Sequence, residues 1–160
     1  MKKSIQLSFL LLLAFQLSMG LVTNSLAAEE KVVTVKVEGD FVDVSASVRS
    51  AIVGKGINIS NKVPASEMLH RTRADFGYDE NVYLQAESYE FCSARLSHKL
   101  VRQHPDNIVL CPFIISVYVV ADEPEIVRIS YRIPSGKPGS EAVINEIVEL
   151  IEGIVEDATW

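Results

Sequence analysis

Two cysteines, three histidines and a pair of arginines are the side chains here whose types and positions invite chemistry. Cys92 stands where an aromatic and β-branched run passes into a helical pattern opened by Ser93. A thiol at a helix N-terminus has its thiolate favoured by the partial positive charge there, so Cys92 with Cys111 is a candidate redox pair. The competing assignment is structural, a buried or disulfide-bonded cysteine, since no Cys-x-x-Cys spacing accompanies it. His70, His98 and His104 share no ligand spacing with one another or with the cysteines, and Cys-x-x-Cys-His is absent, so neither metal nor haem is expected as a cofactor. His98 and Arg71 remain weak candidates for ligand binding, Arg71 because with Arg73 it puts two guanidinium groups on one helix. Such arginines are more often solvated or paired with acids, here Asp75 or Asp79. The chain has no Gly-x-Ser-x-Gly, no phosphate-binding glycine loop and no His-Glu-x-x-His. The lack of any such constellation favours a non-enzyme.

The elements that must position these residues follow from periodicity. Val32 to Val37 alternates as a strand, Asp40 caps a helix carrying Phe41, Val44, Val48, Ala51 and Ile52, and Gly54 and Gly56 end it. Ile57 to Ile59 reads as a short second strand. Pro64 opens a second helix running to about Gly77. Val82 to Phe91 is a third strand whose Gln85, Glu87 and Glu90 suggest a wet face. Ser93 caps a third helix ending before Pro105, and Ile108 to Val120 is apolar enough for a strand buried on both faces. Ile126 to Ile133 alternates as its partner, and Ser140 begins a final helix with Val143, Ile144, Ile147, Val148, Ile151, Ile154 and Val155 on one face. The order β-α-β-α-β-α-β-β-α predicts an α+β domain with a mixed sheet and helices packed mainly on one face.

That order carries a prediction about the cysteines. A helix from Ser93 to Gln103 descends about 16 Å, and a strand climbing from Asp106 regains that height by Cys111. A right-handed crossover then sets the two strands side by side, with Cys92 and Cys111 level and within disulfide reach.

The first residues set the compartment. Lys2 and Lys3 precede an apolar run from Phe9 to Phe15 that weakens by Val22, and Ser25, Leu26 and Ala27 supply small residues for cleavage after Ala27, with Ala28 as the second choice. The run is short for a membrane span. Residues 28–160 are then the expected mature domain, exported to the periplasm, or secreted if the host has no outer membrane. Losing Lys2 and Lys3 shifts the net charge from −6 to −8, a balance that argues against nucleic-acid partners and anionic membrane surfaces. An oxidising compartment favours pairing of the cysteines.

The segments Glu90-Phe91-Cys92-Ser93-Ala94, His104-Pro105-Asp106-Asn107-Ile108 and Leu110-Cys111-Pro112-Phe113 resemble the bacterial domain-of-unknown-function family 302. Val37-Glu38-Gly39-Asp40-Phe41 and Met68-Leu69-His70-Arg71-Thr72 extend the likeness, which runs from about Val32 into the final helix. His104 stands where an acidic residue is common in the family. The resemblance implies a compact α+β fold capable of forming a homodimer, and no established activity. Three functions follow as expectations: an exported module binding a small ligand or an envelope protein, a thiol redox protein using Cys92 and Cys111, and, weakest, a metal or haem carrier.

Overall fold

The computed structural model describes residues 31–159. The expected export segment, residues 1–27, lies outside the described residues. The chain forms β1 (Val32–Glu38), α1 (Phe41–Gly54), β2 (Ile59–Val63), α2 (Ala65–Thr72) continued by a 3-10 turn (Arg73–Phe76), and β3 (Tyr83–Phe91). It goes on through α3 (Ala94–Gln103), a second 3-10 turn (Pro105–Leu110), β4 (Phe113–Val120), β5 (Ile126–Arg132) and α4 (Glu141–Ala158). The α+β class and the element order are those the periodicity predicts.

Local chemistry explains the boundaries. Asp40 caps α1 by accepting from Val42 N at 2.7 Å and Asp43 N at 3.3 Å. Ser93 caps α3, accepting from Leu96 N at 3.4 Å. The turn into β3 uses Gly77 at φ 75°, a conformation that a Cβ would strain. At Gly136 the limit is space, because a Cβ would come 2.9 Å from Cβ of Ser140.

The sheet has the order β1-β5-β4-β3-β2 and is antiparallel at every pairing, not mixed. The departure arises between β3 and β4. Residues 105–110 form a 3-10 turn where a climbing strand was expected. Pro105 begins that turn, and Nδ1 of His104 accepts from Asp106 N at 3.2 Å. The turn carries the chain back to the end of β3 at which α3 began. β4 therefore starts beside the last residue of β3, Phe113 against Phe91, and runs the other way. The exposed Ile108 and Val109, the latter 81 % accessible, belong to this turn and not to a buried strand. β2 also lies later than predicted. Ser60, Asn61 and Lys62 make it a mostly exposed edge strand, and apolarity alone does not find such a strand.

One sheet face makes the core. Val48 and Ile52 of α1, Leu96 and Leu100 of α3, and Ile147, Ile151 and Ile154 of α4 close over Phe91, Ile115, Val117, Val127 and Ile129. β4 accordingly alternates buried with half-buried residues instead of being buried on both faces. The other face carries a row of hydroxyls in register across four strands: Thr34, Ser130, Ser116 and Ser88. Thr34 bonds Ser130 at 2.7 Å, Ser88 bonds Ser116 at 2.7 Å, and the Tyr118 hydroxyl lies 3.0 Å from Ser130 Oγ. These polar contacts explain why no helix layer is needed there.

Asn107, 2 % accessible, ties three segments together. Its Nδ2 donates to Leu100 O at 3.1 Å and to Ser140 Oγ at 2.8 Å, and its Oδ1 accepts from Lys137 N at 2.9 Å.

Ile115 and Val117 are both 0 % accessible. Ile115→Asp should prevent folding, because an unpaired core charge costs several kcal/mol out of about 5–15 for a whole domain. Glu149→Lys, on the exposed side of α4, should leave the melting temperature within a few degrees. Thermal melts of the two variants check the assigned faces.

Candidate functional site

Cys92 follows the last residue of β3 and Cys111 precedes β4 by two, so the Phe91–Phe113 pairing brings them together without a parallel crossover. They form a disulfide with a Cα–Cα distance of 6.0 Å, within the usual span. Ser97, one turn into α3, donates its hydroxyl to Sγ of Cys111 at 3.7 Å. Cys92 lines a cleft of about 450 Å3 with Ser93, Arg95, Lys55 and Asn58. Both cations have acidic partners: Lys55 meets Asp157 at 2.7 Å, and Arg95 meets Glu146 at 3.0 Å. The Glu146 carboxyl is held below its ordinary range by its hydrogen bond from Lys99 and, secondarily, by Arg95. These pairs are solvent-accessible, and exposed ion pairs contribute only about 0–1 kcal/mol, so they yield readily.

Of the weaker candidates, His98 is exposed on α3 and Arg71 exposed on α2, and neither lines the cysteine cleft. His70 and His104 bond separately, to Tyr83 O at 2.7 Å and Asp106 N at 3.2 Å. Among the described residues no three His, Cys, Asp or Glu side chains gather as metal ligands would.

A second constellation lies under α1. Glu87, assigned to a wet face from the sequence, instead shares the core face with Tyr89 and Phe91, and is 8 % accessible. Ser45 of α1 and the Tyr89 hydroxyl both donate to Glu87 Oε1, the tyrosine at 2.6 Å. Lys62, paired with Tyr89 across β2 and β3, reaches Glu87 Oε2 at 2.7 Å. Burial pushes the Glu87 carboxyl up, but hydrogen bonds from Lys62, Ser45 and Tyr89 outweigh it and hold the group below its ordinary value. The hydrogen bond to Glu87 raises Lys62, and burial followed by the bond to Glu87 raises Tyr89. Period-2 spacing was the available signal: Glu87, Tyr89 and Phe91 alternate onto one face, whereas Glu90 lies on the other.

The third site is apolar. α2 lies along the part of β3 beyond the end of β2, where Ser66 Oγ accepts from Ala86 N at 3.0 Å. The Tyr83 carbonyl can only accept, so His70 Nε2 donates to it. Between α2, its 3-10 extension and the approach to β3 opens a cleft of about 420 Å3, lined by Met68, Leu69, Phe76, Tyr78 and Val82, with Arg73 and Glu80 also on its walls. Each of those five apolar side chains is exposed, Phe76 at 73 % and Val82 at 69 %. Arg73 is half-buried, with no ion pair or side-chain hydrogen bond among the described residues. The arginine in this site is thus Arg73 and not Arg71, which is not among the lining residues. The sequence placed this segment on a helix but held no sign that its apolar residues would stay uncovered.

The family model for "Domain of unknown function DUF302" matches residues 33–158. Among solved structures the chain is similar to the crystal structure of an uncharacterized conserved protein DUF302 from Bacillus stearothermophilus, at 14% sequence identity and a TM-score of 0.66. The match covers 79% of this chain and 97% of that one, and at this identity it shows the shared fold. No curated protein matches the chain.

The Glu87 cluster makes a pH prediction. Its folded carboxyl lies below the ordinary 4.5, so its stabilisation is full above that value and disappears as pH falls through the lowered value. Lys62 lies above the ordinary 10.5, so its share is full below that value and is lost as pH rises through the raised one. Glu87→Gln should therefore cost about 1–3 kcal/mol at pH 7, and the gap to the parent should close in acid. Denaturant titrations at pH 7 and pH 3 check this, and an equal gap at both would contradict the assignment.

Proposed function

Because the chain belongs to the DUF302 family, whose description names no activity, we propose its function from its own surface: it is a non-enzymatic module that binds a small amphipathic anion in the α2 cleft. The observation that carries this reading is the convergence of Met68, Leu69, Phe76, Tyr78 and Val82, all exposed, on one concavity. Isolated exposed apolar residues are ordinary, but a contiguous group around a cleft marks a binding surface. A volume of about 420 Å3 falls in the range of small-molecule sites. Arg73 supplies the choice of ligand, since this half-buried residue forms no ion pair among the described residues, not even with Glu80 of the same cleft, and its guanidinium can donate two parallel hydrogen bonds to a carboxylate. The apolar walls take the body of the same molecule.

Octanoate, with octanol as its uncharged counterpart, tests the reading by titration calorimetry. Arg73→Met should weaken octanoate about tenfold and leave octanol unchanged. Phe76→Asp should abolish binding of both without lowering the melting temperature, because Phe76 is exposed. Absence of saturable octanoate binding, or binding indifferent to both substitutions, contradicts the proposal.

The module works outside the cytoplasm in this reading. Support comes from the layout of residues 1–27 and from a bonded Cys92–Cys111 pair, which an oxidising compartment favours. No helix among the described residues is long and apolar enough to cross a membrane. Protein isolated from its native host should have the intact mass of a chain starting at Ala28, less two hydrogens for the disulfide. A mass that still includes residues 1–27 contradicts export with cleavage.

A further inference from the structure

The two sulfurs of the disulfide have different surroundings. Cys92 lines the cleft of about 450 Å3, whereas Cys111 is not among the lining residues of that cleft or of the smaller one formed by Val109, Leu110 and Pro112. Cys111 instead receives the Ser97 hydroxyl, with Oγ 3.7 Å from Sγ. Lys55 and Arg95 line the cleft beside Cys92, each paired with an acid, Asp157 and Glu146, that is not among its lining residues.

We infer that the Cys92–Cys111 disulfide is a thiol-exchange site, attacked at Cys92 by small anionic thiols held in this cleft. The thiolate of the incoming molecule adds to Sγ of Cys92 along the S–S axis. The Cys92–Cys111 bond breaks, and its electron pair leaves on Sγ of Cys111. A mixed disulfide then joins Cys92 to the small thiol, whose sulfur is oxidised as Cys111 is reduced. The Ser97 hydroxyl, already directed at Sγ of Cys111, stabilises the thiolate formed there. In reverse, Cys111 attacks Cys92 and expels the small thiolate, so the cycle balances without another oxidant. Lys55 and Arg95 select the partner. An anionic group on the small thiol competes for their side chains against Asp157 and Glu146, which are bound only by weak exposed pairs. This inference is independent of the α2 cleft, with which the cysteine cleft shares no lining residue.

The test uses the folded, oxidised protein with 2-mercaptoethanesulfonate and with cysteamine, compared at equal thiolate concentration. Reactions are quenched in acid, digested without reduction and weighed to locate the adduct. The mixed disulfide should form on Cys92, and mercaptoethanesulfonate should react about tenfold faster than cysteamine. Combined Lys55→Gln and Arg95→Gln should remove that preference. Ser97→Ala should slow both thiols about fivefold while keeping it. Because these side chains lie outside the hydrophobic core, thermal melts should show each variant folded. An adduct on Cys111, equal rates for the two thiols, or no adduct on the folded protein overturns the inference. A Ser97→Ala rate equal to the parent's overturns the assignment of Cys111 as leaving group.

Discussion

β3 and β4 are central in the sheet and antiparallel, so everything between them must leave and re-enter at the same end. α3 makes the outward passage, the 3-10 turn at Pro105–Leu110 makes the return, and two cross-links lock the excursion. One is covalent, Cys92 to Cys111 at its two feet. The other is the buried Asn107 amide, which satisfies the Leu100 carbonyl of α3, the Ser140 hydroxyl at the start of α4 and the Lys137 backbone amide. A buried amide of this kind either makes its bonds or costs the fold a desolvated group, so the turn, the end of α3 and the start of α4 are placed together.

The two clefts follow from different kinds of incompleteness in that arrangement. The cysteine cleft exists because Lys55 and Asn58 follow α1, while Ser93 and Arg95 open α3 beside the disulfide, so their polar side chains stand around a concavity in place of packing. The α2 cleft exists because β2 ends opposite Ser88, leaving the earlier part of β3 without a strand neighbour on that side. A short helix takes the place of the missing strand, held through Ser66 and His70, and it is too short to cover its own apolar residues. The two sites differ accordingly: charged side chains and sulfur line one, and exposed apolar side chains with a single guanidinium line the other.

Glu87 shows how a polar residue can belong to the core. A carboxylate under α1 is tolerated because Ser45, Tyr89 and Lys62 supply donors to both of its oxygens. Its charge is held by neighbours from three elements, so the cluster joins α1 to β2 and β3 directionally where hydrophobic packing alone is nonspecific. It lines none of the clefts described, and its role in this structure is to orient α1 on the sheet.

Local pattern alone determined the element order, the Asp40 and Ser93 caps, the core stripe of α4 and the inward residues of β5, because each depends on interactions within a few residues or on a periodicity of 2 or 3.6. The nearness of Cys92 and Cys111 was also legible, since both strand-and-helix arithmetic and the true path bring them to one level. Family membership was likewise carried by the residues around the two cysteines. What the local pattern missed depended on partners distant in the chain. Whether residues 105–110 extend a strand or turn back is decided by Asn107 meeting Ser140 and Lys137, and that choice makes the sheet antiparallel. Whether the core face tolerates the Glu87 carboxylate depends on donors from α1 and β2. Whether Met68, Phe76 and Val82 are buried or bare depends on where β2 stops, and only the assembled sheet decides that, because an edge is defined by the absence of a neighbour and not by any residue in the strand itself.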